Sequence, residues 1–497
     1  MKLIDRRRFL RAVVASAAVS SCRAHLFAQT GSTPAIRPSL HPDRPVARVP
    51  ANFIGLSYET QELTRPDTFS RENTGLIARF RELAPSGVLR IGGNTSDVGW
   101  WKPTAASQMP PVPQHESMVG EPGTNLAYPI TPEAIRALRG FLDATGWTCI
   151  FGLNLGTEPA AGSADEAAFV AATLGPRLEY FQIGNEPDLL APHLRDKATW
   201  NASRYFDEWI VIANAVRARV PDARFGLPDA ASNIEWFHTV TQRLLTTPNA
   251  PRVAALTHHY YIGGPPSNPA MTIELILSPN PRVAKDAAVV RESSGKLHGT
   301  PYRMTEGNTC YRGGKPGVSD VFAAALWAAD YALELASLGY AGLNLHGGNG
   351  GQFVGNSLGG HLPGEDLLHA GEGPHPRPFY TPIANMNGTY TAEPVYYGLK
   401  FAQNFANATM IPVDFNPGSV NATAYAGVLP TGQQILAVIN KDEHRSLNLD
   451  LPGFSIAQQL TAPSLSARSA QLDEPQSYRE ASTVPAGSAI LLTAVRG

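Results

Sequence analysis

Eight short apolar runs, each followed by a stretch with helical spacing, leave this chain few folds to choose from. The runs are Phe53–Tyr58, Val88–Ile91, Cys149–Leu155, Leu178–Gly184, Phe225–Leu227, Ala254–Tyr261, Tyr302–Thr305 and Ala341–Leu345. The spacing between and after them predicts helices over Thr74–Leu83, from Thr131 onward, and over Ala164–Leu174, Tyr205–Val220, Ile234–Leu245, Ala284–Glu292, Val321–Leu338 and Pro394–Asn407. The helix after Thr131 is the best signalled. Thr131 can cap it, Pro132 suits its first position, Glu133 favours its positive end, and Ile135, Leu138 and Leu142 share a face. Strands alternating with helices predict an α/β protein. Eight such units over roughly 350 residues favour a closed (β/α)8 TIM barrel over an open doubly wound sheet.

The texture changes after Asn407. Ala422–Ala426, Gln434–Ile439 and Ser488–Leu492 alternate or run apolar between turn residues, with no helical period, and predict a small β-sandwich. The expected layout is therefore a signal segment over 1–28, a Pro-rich lead-in over 29–50, the barrel over 51–408 and the sandwich over 409–497. The lead-in is a candidate extra strand of the sandwich. At the N-terminus, Asp5-Arg6-Arg7-Arg8-Phe9-Leu10-Arg11 has a twin-arginine pattern, followed by a short Ala-rich apolar stretch too brief to span a bilayer. This predicts export to the periplasm or outside the cell. Val19-Ser20-Ser21-Cys22 resembles a lipobox that would make Cys22 a lipid anchor, while Ala24 and Ala28 offer ordinary cleavage. Cys149 sits in an apolar run as a core thiol and Cys310 in a loop, and neither spacing builds a disulfide scaffold or a zinc site. A formal charge of −2 provides no field for nucleic acid or an anionic membrane. No cofactor or metal is expected. The Gly-rich segments lack the P-loop lysine and the dinucleotide spacing.

Barrels place their chemistry at strand C-termini. Those ends carry Glu59, Asn94 and Asp97, Asn154, Asn185 with Glu186, Asp229, the run His258-His259-Tyr260-Tyr261, Glu306 with Asn308, and His346. Two of them read as a pair. Asn185-Glu186 closes the fourth run, and Pro187 pushes Glu186 out of the right-handed helical region. Glu306 closes the seventh run, three βα units later, so the two carboxylates face each other across the barrel mouth. Glycosidic cleavage needs that pairing, one group to protonate the leaving oxygen and one to attack or stabilise the anomeric carbon.

Four motifs, in order, carry a resemblance: Leu89-Arg90-Ile91-Gly92-Gly93-Asn94-Thr95-Ser96-Asp97, Ile183-Gly184-Asn185-Glu186-Pro187, Thr257-His258-His259-Tyr260-Tyr261, and Thr305-Glu306 through Tyr311-Arg312-Gly313-Gly314. With them the chain resembles family 79 glycoside hydrolases, the β-glucuronidase and heparanase group of retaining barrel enzymes. The resemblance implies Glu186 as acid/base and Glu306 as nucleophile of a retaining exo-β-glycosidase, most simply a β-glucuronidase acting on a carbohydrate substrate. Asn185 would donate to the sugar 2-hydroxyl, Glu59 and Asn94 would meet outer hydroxyls, and Tyr260 would lie near the nucleophile. Tyr311, Arg312 and Gly313 match the turn whose backbone amides receive the uronic carboxylate. Tyr380 is the expected partner tyrosine, although Phe353 stands where a shorter loop would have placed it. A neutral β-glycosidase, a heparanase-like endo-hydrolase and an inactive carbohydrate-binding barrel remain alternatives. The long loops around Trp100 and Gln352 favour a closed pocket, and the motifs carry no Lys/Arg cluster for a sulfated chain.

Overall fold

Eight parallel strands close on themselves in the computed structural model of the chain: β1 Ile54–Glu59, β2 Val88–Gly92, β3 Thr148–Leu153, β4 Leu178–Ile183, β5 Arg224–Ala230, β6 Arg252–Gly263, β7 Tyr302–Cys310 and β8 Leu343–Gly347, each paired with its neighbours in sequence and β8 with β1. The structure describes residues 35–111, 127–191, 194–348, 378–386, 388–474 and 483–495. The expected signal segment, Cys22 and the loop bearing Gln352 and Phe353 lie outside the described residues.

The period of two along each strand sorts side chains between two environments. Leu89, Ile91, Phe151, Leu153, Phe181 and Ile183 join the large core between barrel and helices. Val88, Ile150, Tyr180 and Ala255 fill the barrel's interior as a separate small cluster. Above that plug the interior turns polar, with Ser57, Arg90, Gln182 and Glu306 all buried. A polar layer over an apolar plug makes the mouth a site rather than a core.

The surrounding helices are α1 Thr74–Leu83, α2 Pro132–Thr145, α3 Ala160–Leu174, α4 Ala202–Arg219, α5 Trp236–Thr246, α6 Pro281–Lys296, α7 Phe322–Ser337 and α8 Pro394–Ala402. Helix α2 starts as its residues dictate: the Thr131 side chain accepts from the Ala134 N–H, and Gly146 ends it in the left-handed region at φ 82°. Helix α7 is buried on nearly every side because it lies between the barrel and the C-terminal sheet. That sheet has seven antiparallel strands, in the order Ala47–Arg48, Thr409–Ile411, Ala422–Val428, Gln434–Asn440, Ser488–Ala494, Phe454–Thr461, Gln471–Asp473. The lead-in thus supplies an edge strand. Ile435, Ala437 and Ile439 face the barrel, whereas Leu436 and Val438 face a second core with Ile490 and Leu492.

Strands β5 to β8 all run past their expected ends, β7 the furthest, and the extensions of β6 and β7 pair with each other. β6 reaches Gly263 and β7 reaches Cys310, paired as His259 with Glu306, Tyr261 with Asn308 and Gly263 with Cys310. The polar residues Glu306 to Thr309 hide this from an apolar pattern, and only the neighbouring strand reveals it. Cys310, expected in a loop, is the last residue of β7 and is buried; Cys149 is buried too, and both are free. Between His258 and His259 the register slips, so Thr305 is an extra residue in β7. Such bulges re-aim the side chains that follow them, here Glu306.

Candidate active site

Arg90, at the centre of β2, organises the mouth. A guanidinium that is 1% exposed must have every donor met. Nη1 donates to Glu306 Oε2 at 2.8 Å and Ser57 Oγ at 3.0 Å, Nη2 to Asn185 Oδ1 and Asp229 Oδ2 at 2.7 Å each, and Nε to Gln182 Oε1 at 2.8 Å. Asp229 in turn accepts from Thr305 Oγ1 and Gln182 Nε2, both at 2.5 Å. Burial alone would raise the Asp229 carboxyl, but the charges of Arg90 and His259 hold it below its usual range.

Glu186 stands at the end of β4 with φ 44° and ψ 52°. Pro187 bars the right-handed helical region, as expected, yet the chain takes the left-handed one rather than an extended form. The Glu186 N–H donates to the Asp229 carbonyl at 3.1 Å, and Asp229 is itself left-handed at φ 62°. Two non-glycine residues in that region, joined by a hydrogen bond, mark strain held by the surrounding framework. His259 Nδ1 lies 3.0 Å from Glu186 Oε1, and its Nε2 lies 3.2 Å from Asp229 Oδ1. Burial would lower this imidazole's pKa, but Asp229 and Glu306 push it up to about 10.

The two glutamates are biased in opposite directions. Burial raises Glu186, aided by the Glu306 charge and only partly countered by His259. Burial would raise Glu306 as well, but His346, His259 and Arg90, with the Tyr261 hydroxyl, bring it down to about 2. Tyr261 donates to Glu306 Oε1 at 2.9 Å, and His346 Nδ1 lies 3.8 Å from Oε2. Carboxylate oxygens of Glu186 and Glu306 and a ring nitrogen of His259 lie within 4.8 Å of one another. That trio could in principle hold a cation. The cationic imidazole, with both nitrogens against carboxylates, makes His259 a donor rather than a ligand.

Asn94, Asn185, Glu186, Glu306, Tyr311 and Arg312 line one cavity of about 510 Å³. Asn185 is fixed at both ends of its amide: Oδ1 accepts from Arg90, Nδ2 donates to Asn94 Oδ1 at 2.9 Å, and its N–H donates to Asp97 Oδ2 at 3.1 Å. Burial lifts Asp97 to about 7 even though backbone N–H groups oppose the shift. Glu59 does not turn to the cavity. Its Oε2 accepts from the Thr95 N–H at 2.9 Å and hydroxyl at 2.6 Å, which straps the loop that carries Asn94. Tyr260 also faces elsewhere. Strand alternation sends it outward, where Asn280 donates to its hydroxyl at 2.8 Å and Tyr331 stacks on it at 5.0 Å. The residue beside Glu306 is Tyr261, one position on.

Tyr380 is fully buried next to the site, its ring 6.2 Å from those of Tyr261 and His346. Its backbone is tied to the turn after β7: its N–H donates to the Gly313 carbonyl at 3.3 Å, and Asn308 Nδ2 donates to its carbonyl at 3.0 Å. Phe353 lies outside the described residues. Position at a strand end alone assigns no role to Arg90, His259, Asp229 or His346. A lone arginine in a buried strand was the signal for the first. Arg282, at the start of α6, also lines the cavity and had no signal in its own neighbourhood.

No family model matches the chain. Two curated relatives, both named β-glucuronidase, align with it. The one from Aspergillus niger is 25% identical over 313 residues, covering 59% of this chain and 56% of its own length. The one from Neurospora crassa is 25% identical over 395 residues, covering 73% and 63%. The chain thus spans under two thirds of either relative. Among solved structures, a 4-O-α-L-rhamnosyl-β-D-glucuronidase from Fusarium oxysporum superposes with a TM-score of 0.65 at 18% identity, covering 92% of this chain and 99% of that one. A family 51 arabinofuranosidase from Xanthomonas axonopodis pv. citri reaches 0.60 at 15% identity, covering 93% and 99%. At these identities the two structures bear on fold alone, and the chain shares with them the (β/α)8 barrel.

Proposed function

We propose that this protein is a retaining β-glycosidase of family 79 type that removes a terminal β-linked uronic acid, as a β-glucuronidase does. The observation that carries the reading is the opposite bias of two carboxyls whose oxygens approach within 4.8 Å. Retaining enzymes keep their carboxyl groups about 5–5.5 Å apart, whereas inverting ones leave room for a water at 6.5–9.5 Å. Glu306, ionised, attacks the anomeric carbon. Glu186, protonated, gives its proton to the leaving oxygen. His259 occupies Glu186 Oε1, which leaves Oε2 to carry that proton. Once Glu306 is esterified its charge is gone, the Glu186 pKa falls, and Glu186 can deprotonate the incoming water. Asn185, held by Arg90 and Asn94, keeps one amide hydrogen for the 2-hydroxyl.

The two β-glucuronidase relatives support a uronic acid as the sugar. So does the chemistry of the turn, where the Tyr380 hydroxyl, the backbone of Gly313 and the Arg312 side chain supply donors for a carboxylate. Comparing kcat/KM on aryl β-glucuronide and aryl β-glucoside tests the sugar, and a preference for the glucoside excludes the uronic acid while sparing the mechanism. For the mechanism, Glu306→Ala should lower kcat by about 10⁴-fold or more on every substrate. Glu186→Ala should keep turnover only on glycosides with acidic leaving groups. Equal residual activity of the two variants on one aryl glycoside would overturn the role assignment, and an α-configured first product, followed by NMR, would overturn retention.

A further inference from the structure

The turn that follows Glu186 places large apolar groups at the cavity wall. It comprises Pro187–Leu189, and the Leu189 N–H donates to the Glu186 carbonyl at 2.7 Å. Leu189, Leu190 and Ala191 line the cavity from this side, joined by Ala231 and Ser232 from the loop after β5. Leu189 is 48% exposed although its neighbour Leu190 is 4% exposed. The framework behind this wall is rigid. Asp188 accepts the backbone N–H of Ala231 on Oδ1 at 2.8 Å, and those of Ser232 and Asn233 on Oδ2 at 3.0 and 2.9 Å. Trp200 Nε1 donates to the Pro187 carbonyl at 2.6 Å. These bonds stitch the two loops together and hold Leu189 outward, so its exposure is built in. An apolar side chain fixed in water beside a reactive group marks a contact surface.

We propose that this wall is the leaving-group subsite and that it selects glycosides of an apolar, planar aglycone such as a polycyclic phenol. The inference rests on the glycosidase reading. If Glu186 protonates the leaving oxygen, the leaving group lies on Glu186's side of the cavity, against this turn. A saccharide leaving group would bring several hydroxyls, each needing a partner once desolvated. Among the described residues of the wall, Ser232 offers the free polar side chain, since the Asp188 carboxylate is already occupied by three N–H groups. A flat aglycone needs what is present: methyl and methylene groups on a fixed backbone.

The test uses the full chain with 2-naphthyl and phenyl β-glucuronides, whose phenols are nearly equal in acidity, and β-glucuronosyl fluoride, which has no aglycone. The naphthyl glycoside should exceed the phenyl one in kcat/KM on the order of tenfold, chiefly through KM. In Leu189→Asn the ratio of naphthyl glycoside to fluoride should fall by a similar factor, and Leu189→Met should restore it. A loss of folding would depress both substrates together and leave the ratio alone. Equal kcat/KM on the two aryl glycosides, an unmoved ratio in Leu189→Asn, or preference for a glucuronosyl disaccharide over the phenyl glycoside overturns the inference while fluoride turnover preserves the glycosidase reading. Absence of turnover on the fluoride and on both aryl glycosides overturns the two together.

Discussion

A single side chain, His259, connects the charge states of the two glutamates. Its cation lies 3.0 Å from Glu186 and 4.0 Å from Glu306, and it opposes the rise of the one and favours the fall of the other. The kcat/KM profile should fall on the acid side as Glu306 takes a proton and on the alkaline side as Glu186 loses one. Removing a nearby cation raises both carboxyl pKa values. His259→Asn should therefore move both limbs of the profile to higher pH, on the order of one pH unit. A profile that only loses height, with both limbs in place, would show His259 acting on packing alone. At this scale the sequence was most legible for the glutamates, because each ends an apolar run and has an asparagine within two residues. It was least legible for the neighbours. Tyr260 and Tyr261 are equivalent as letters, and a one-residue choice of face separates a core ring from the donor to Glu306.

At the scale of elements, the turn after β7 and the segment carrying Tyr380 form one unit. Gly314 sits at φ 86°, and a Cβ there would lie 2.7 Å from the Tyr380 nitrogen. The close approach and the left-handed backbone both demand glycine. Gly314→Ala should displace Tyr380 and lower the ratio of kcat/KM on aryl β-glucuronide to that on aryl β-glucoside, on the order of tenfold. An unchanged ratio would remove Tyr380 and this turn from sugar selection. The turn was visible in sequence as Tyr-Arg-Gly-Gly, and Tyr380 was paired with it only through the family resemblance, whereas the backbone bonds that join the two come from the tertiary structure. The same distinction applies to β6 and β7. Their apolar stretches were plain, but their polar extensions exist because each pairs with the other.

Among the described residues a barrel is braced by a sheet, and Asp330 on α7 is a principal clasp between them. Its Oδ1 accepts from Thr423 at 2.6 Å and Tyr425 at 2.7 Å, and its Oδ2 meets Lys441 Nζ at 2.5 Å. Lys441 is 5% exposed, so removing its partner leaves a buried charge unpaired. Asp330→Ala should cost about 3–5 kcal/mol in urea unfolding, and adding Lys441→Met should recover part of that loss. Simple additivity of the two substitutions would mean the clasp carries no coupling. Alternation of apolar runs with helical spacing was enough, read from the sequence alone, to establish the barrel, because burial period and turn chemistry are local properties of the chain. The two glutamates were legible for the same reason, since a polar end to an apolar strand is a local signal. Only the tertiary structure decided that Arg90 ties four strands together, that Tyr261 rather than Tyr260 serves Glu306, and that Glu59 braces a loop instead of facing the cavity. Those facts depend on which face a strand presents and on which distant segment approaches it, and both are set by packing across the barrel.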